Sequence, residues 1–137
     1  MSRDREGAAR IPQVDVPMRS KLVKQFHFEA AHWLPTFPPG HKCRRMHGHS
    51  FRLEVIVEGQ VAEEKGYLID FGEITAAVDP VIEVLDHHVL NEIDGLANPT
   101  AEMLARWVYD RVKPKLALLT AVRVYETCTS AAEYAGR

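Results

Sequence analysis

Cysteine, long apolar runs and net charge are all scarce in this 137-residue sequence. Two thiols, Cys43 and Cys128, cannot build the bridged framework of a small secreted domain. The chain therefore reads as a protein of a reducing compartment, expected in the cytoplasm. No apolar stretch approaches the roughly 18–20 residues of a membrane helix. Met1 to Ser20 holds four arginines and no apolar block, which argues against a secretory signal. Lys+Arg number 17 and Asp+Glu 19, a net charge of -2. That balance argues against nucleic-acid phosphates or anionic lipid as partners. There is no short repeat, no low-complexity segment and no dinucleotide glycine fingerprint. A mass of 15.5 kDa leaves little room for a second domain. Histidine is the residue in excess: of seven, His41, His47 and His49 fall within nine residues.

Residues 1–19 are polar, carry two prolines and Gly7, and show no period. They read as a flexible extension or an expression remnant, and residues 20–137 as the single domain. From Lys21 the pattern changes. Leu22, Phe26, Phe28, Ala30 and His32 share one parity, as in a strand with one buried face. Pro35, Pro38, Pro39 and Gly40 enforce a loop. His47 to Glu58 is the clearest strand: Phe51, Leu53, Val55 and Val57 alternate with Arg52, Glu54 and Glu58, and Ile56 breaks the phase. Ile74, Ala77, Val78, Val81, Ile82 and Leu85 follow helical spacing, with Pro80 predicting a kink or a fresh start. Asn98 or Thr100 caps a second helix with a Leu104, Trp107, Val108 and Val112 stripe. Ala121 to Thr127 is a third long strand, and Ala131 to Tyr134 pairs behind it. Strands on either side of two helices predict an α+β fold, its antiparallel sheet covered on one face.

Residues i and i+2 of a strand point the same way. His47 and His49 therefore project from one face, in phase with Phe51 and Leu53, while His32 is in phase with Phe26 and Phe28. Two neighbouring strands would bring three imidazoles together. A lone inward histidine is more often a core residue, but three in phase suit a zinc-like ion. Three ligands without a fourth leave a position for water or substrate, as in catalytic zinc sites. Gly48 between the ligands suggests close backbone approach or a bulge.

Cys43 stands four residues before His47, among Lys42, Arg44 and Arg45. A thiol near cations and a metal favours the thiolate, so Cys43 reads as a base or nucleophile; a loop cysteine or fourth zinc ligand are the alternatives. Cys128 has the parity of Val122 and Val124 and reads as a small buried hydrophobe. Asp86 beside His87 can orient an imidazole for proton transfer, or the pair simply ends a helix. Glu126 shares the inward parity of Val122 and Val124. A buried carboxylate needs a partner, either a distant cation or a ligand with parallel N–H donors; an exposed strand end is the alternative.

Phe28-Glu29-Ala30-Ala31-His32, Cys43-x3-His47-Gly48-His49, Leu85-Asp86-His87-His88, Asn98-Pro99-Thr100 and Glu126-Thr127 together resemble the 6-pyruvoyl-tetrahydropterin synthase superfamily. The likeness runs from Lys21 to Tyr134. Three residues between the cysteine and the His-Gly-His resemble the bacterial 6-carboxy-5,6,7,8-tetrahydropterin synthase branch of the queuosine (tRNA modification) pathway; five would resemble the pyruvoyl synthases. The tail Thr129 to Tyr134 departs from the Gly- or Cys-containing tail of the family. The resemblance implies a tunnelling (T-fold) ββααββ subunit with a four-stranded antiparallel sheet. It implies one Zn2+ per subunit on His32, His47 and His49, catalysis by Cys43, Asp86 and His87, and pterin binding by Glu126 and Thr127. The reaction implied is a carbon–carbon lyase step. It converts 7,8-dihydroneopterin triphosphate and water to 6-carboxy-5,6,7,8-tetrahydropterin, acetaldehyde and triphosphate. Lys42, Arg44 and Arg45 are triphosphate candidates by proximity alone. Rival readings are a pyruvoyl synthase that only eliminates triphosphate and a non-catalytic zinc module. The family's assembly implies a homohexamer, a dimer of trimers, with active sites between subunits.

Overall fold

Alternating apolar residues in 18–32 and 47–61 can be buried only by pairing into a sheet and covering one face. The computed structural model describes residues 18–137; of the extension read over residues 1–19, residues 1–17 lie outside them. Met18 and Arg19 already belong to the first strand. The elements run β1 (Met18–His32), β2 (His47–Val61), α1 (Phe71–Leu85), β3 (His88–Val89), α2 (Ala101–Val112), β4 (Leu119–Thr127) and β5 (Ser130–Tyr134). The sheet order is β3-β1-β2-β4-β5. It has five strands where four were expected. The addition is β3, two residues lying parallel to β1 at Ala30 and Ala31. So short a strand leaves no periodicity to read.

The other pairings are antiparallel. β1 and β2 run in uninterrupted register from Met18↔Val61 to His32↔His47. Phe28 lies opposite Phe51, their rings stacked 4.9 Å apart. Gly48 sits in this regular ladder opposite Ala31, so the bulge suggested there is absent. A Cβ at 48 would make an ordinary 3.6 Å contact with the Ala30 carbonyl. The irregularity falls instead at Ile56/Val57, where β2 meets β4. The residue skipped there is Thr120 of β4; β2 itself stays in phase, and Ile56 is buried on the face opposite Val55 and Val57.

Both helices pack on one face through the expected stripes: Ile74, Ala77, Val78, Val81 and Leu85 of α1, and Leu104, Trp107, Val108 and Val112 of α2 are buried. Asp70 caps α1, its Oδ1 accepting from the Gly72 N–H at 2.8 Å. Thr100 caps α2, accepting from the Met103 N–H at 3.1 Å. Pro80 does not divide α1. Pro80 and Ala76, the residue whose carbonyl it leaves without a helical donor, are both exposed, so water can take the missing bond.

Burial departs from simple strand parity at two positions. Glu54 is buried on the face away from the helices, accepting from Gln25 Nε2 (3.0 Å), Arg123 Nη1 (3.1 Å) and Tyr125 Oη (3.2 Å). Burial raises its pKa, but these bonds together hold it below the usual carboxylate value. Cys128 is exposed, not buried. The β4–β5 turn begins at Cys128, and a register shift between Tyr125 and Thr127 ends the strand parity before it.

Candidate metal centre and flanking cavities

Register makes the histidine cluster. His32 faces His47 directly across the β1–β2 ladder, and His49 lies two residues further along the same face, opposite Ala30. The ring centroids are 4.6 Å (His32–His47), 5.2 Å (His32–His49) and 4.9 Å (His47–His49) apart. One nitrogen from each ring lies within 4.8 Å of the other two. Phe51 closes the inner side, 5.6 Å from His32 and 5.4 Å from His49 between centroids.

Hydrogen bonds fix two of the tautomers. His32 Nδ1 lies 2.8 Å from the Pro99 carbonyl and His47 Nδ1 lies 2.7 Å from the Arg45 carbonyl. A carbonyl only accepts, so each Nδ1 carries the proton and each Nε2 keeps its lone pair. His32 is fully buried and its Nε2 has no hydrogen-bond partner. Burial, reinforced by His47 and His49, lowers its pKa to about 4 against the opposing Pro99 bond. Burial also lowers that of His49, with Glu126 opposing. An orphaned buried lone pair beside two more imidazoles is the donor set of a divalent transition metal, and the Pro99 and Arg45 carbonyls are the usual outer support. The cluster could hold a metal. Cys43 is not a member of it.

Glu126 approaches from β4, its Oε2 3.5 Å from His32 Nε2. His32 is neutral at pH 7, so this is no ion pair. Two acceptors face each other, which is favourable only when something positive or proton-donating lies between them. The expected inward direction of Glu126 is thus observed, with the side chain half-buried.

Two cavities of about 490 Å³ each flank the cluster. Cys43, Lys42, Arg45, His47 and Glu126 line one; Glu29, Ser50, His87 and His88 line the other; Gly48 and His49 line both. Cys43 sits half-buried in a single 3₁₀ turn, Lys42–Arg44. The Asp86–His87 pair is fixed by β1. Asp86 Oδ1 accepts from the Glu29 N–H (2.8 Å), and the His87 N–H donates to the Glu29 carbonyl (2.6 Å). His87 takes a left-handed backbone, φ 60°, which few non-glycine residues adopt without such restraints. Its Nδ1 lies 2.9 Å from Asp86 Oδ2. The Glu29 bond, then the His87 bond, hold Asp86 below the ordinary carboxylate pKa. The paired geometry is the expected one, but His87 and Cys43 line different cavities of this chain. Thr127 is exposed at the end of β4.

Sequence reasoning missed Asn91. Its Oδ1 accepts from the Trp33 N–H (3.0 Å) and its Nδ2 donates to the Trp33 carbonyl (2.7 Å). It thereby ties the residue after His32 to the segment leading to Pro99. A lone asparagine in an irregular segment gives no periodic signal.

Residues 21–137 match the model of the family described as 6-pyruvoyl tetrahydropterin synthase. The chain is 43% identical over 119 residues to a 6-carboxy-5,6,7,8-tetrahydropterin synthase of Synechocystis sp., covering 82% of this chain and 91% of the relative. It is 37% identical over 99 residues to a dihydroneopterin monophosphate aldolase of Pyrococcus furiosus, covering 72% and 80%. The 6-pyruvoyl tetrahydropterin synthase structure of Caenorhabditis elegans superposes with a TM-score of 0.80 at 21% identity, covering 88% of this chain and 98% of that one, and shares its fold.

Proposed function

The chain belongs to the 6-pyruvoyl tetrahydropterin synthase family, and from that premise we propose that it is a zinc-dependent 6-carboxy-5,6,7,8-tetrahydropterin synthase. Its substrates are 7,8-dihydroneopterin triphosphate and water; its products are 6-carboxy-5,6,7,8-tetrahydropterin, acetaldehyde and triphosphate. It serves the cytoplasmic queuosine pathway. No helix among the described residues is long and apolar enough to cross a membrane.

The observation that carries the reading is the convergence of acceptors: the orphaned His32 Nε2 and the Glu126 carboxylate face the same space as His47 and His49. His32, His47 and His49 would hold the Zn2+. When bound, the ion supplies Lewis acidity to the substrate's side-chain oxygens and makes the neighbouring C–H acidic. Cys43 Sγ, lining the cavity that Glu126 also lines, takes the proton. Asp86 holds the His87 Nδ1 proton, so that His87 Nε2 exchanges protons with the other side of the substrate. Glu126 accepts N–H bonds from the 2-amino and N3 edge of the pterin, beside the Thr127 backbone.

His87 and Cys43 occupy separate cavities of one protomer, which supports a site completed between subunits of a homohexamer, a dimer of trimers. The deciding experiment incubates purified protein with 7,8-dihydroneopterin triphosphate and assays triphosphate and acetaldehyde together. Both are expected. Triphosphate without acetaldehyde would assign a pyruvoyl synthase instead.

A further inference from the structure

Between Glu29 and Glu54 the chain has no acidic residue, yet carries Lys42, Arg44, Arg45 and Arg52, although the protein as a whole is slightly acidic. The three cations of the Cys43 turn have different surroundings. Arg44 is committed to the fold: its Nη1 donates to the Pro35 and Phe37 carbonyls, each at 3.0 Å. Lys42 and Arg45 make no side-chain hydrogen bond or ion pair among the described residues. Both are exposed and both line the cavity that holds Cys43 and Glu126.

The loop presenting them is already ordered. The Cys43 N–H donates to His41 Nδ1 at 3.0 Å, and the Leu34 N–H donates to the Cys43 carbonyl at 2.8 Å. The Phe37 and His41 rings meet at 4.6 Å. Cations on a pre-ordered loop bind an anion without the entropic cost of organising it. The same cavity has Glu126 as its acidic group. A complementary ligand has N–H donors for the carboxylate and an anionic chain for the two cations.

We infer that Lys42 and Arg45 form an anion subsite for the phosphate chain of the substrate, with Arg44 a positioning residue for the loop that carries them. This rests on the pterin reading above and extends it by dividing roles among three neighbouring cations.

The test measures equilibrium binding of dihydroneopterin triphosphate and of unphosphorylated dihydroneopterin to the full-length, zinc-loaded Cys43→Ala protein, which blocks turnover. The triphosphate binds on the order of a hundredfold more tightly. Lys42→Gln and Arg45→Gln each remove about tenfold of that advantage, the scale of one charge-assisted contact. Affinity for dihydroneopterin stays within twofold. Equal affinity for the two ligands would overturn the inference, as would unchanged triphosphate binding in the variants or parallel weakening of both ligands. The synthase reading is tested separately with Cys43 present: no acetaldehyde, with phosphate-dependent binding intact, would reject that reading and leave the subsite standing.

Discussion

Removing the metal leaves His32 buried and neutral, and acid should then unfold the protein through it. The folded pKa is about 4 and the ordinary value 6.5, with burial the main cause. Above the ordinary value both folded and unfolded states carry neutral His32, and its contribution is complete. As pH falls from there towards the folded value, the unfolded chain takes up a proton that the folded chain refuses, and stability is lost. Each pH unit in that window is worth about 1.4 kcal/mol. Going from about pH 7.5 to about pH 5 therefore costs about 2 kcal/mol from this one group. The assay is urea denaturation of metal-free protein, followed by fluorescence of Trp33 and Trp107, beside His32→Asn. Asparagine keeps an N–H donor for the Pro99 carbonyl and removes the titrating ring. The wild type should lose about 2 kcal/mol more than the variant over this range. Parallel pH dependences would refute the buried neutral imidazole.

Three further outcomes follow from the cavity holding Cys43. Cys43→Ala should abolish turnover, a loss of at least about a thousandfold on the scale of a removed catalytic proton acceptor, while elemental analysis finds bound zinc unchanged; a non-catalytic zinc module would be indifferent to it. Glu126→Ala should weaken pterin binding by about 10–100-fold, from lost charge-assisted bonds, and an unchanged Kd would contradict the anchor. Arg44→Ala should release the Pro35 and Phe37 carbonyls and speed hydrogen exchange at the Leu34 and Cys43 amides about tenfold, with zinc retained; unchanged exchange would show that the guanidinium does not hold the loop.

The histidine cluster was legible because strand parity is simple. In an uninterrupted ladder, His32, His47 and His49 have to emerge beside Phe28 and Phe51. The Thr100 cap and the α2 stripe were legible for the same reason, a regular period behind a standard cap. Parity failed where the ladder is irregular. The register shift before Thr127 and the β4–β5 turn expose Cys128, whereas Ile56 keeps its strand phase and is simply an apolar residue buried on the outer face. The burial of Glu54 was not legible because Gln25, Arg123 and Tyr125, its partners, lie on two other strands. Asp86 and His87 stood out as a pair. Their anchoring on the Glu29 backbone falls just before β3, two residues long, and at a left-handed His87 that no periodicity announces.

X-ray absorption at the zinc edge of the purified protein tests the three-imidazole centre most directly. It should show three nitrogen neighbours at about 2.0–2.1 Å and one exchangeable oxygen. A sulfur neighbour at about 2.3 Å, or loss of bound zinc in Cys43→Ala, would contradict it by making Cys43 a ligand rather than the proton acceptor.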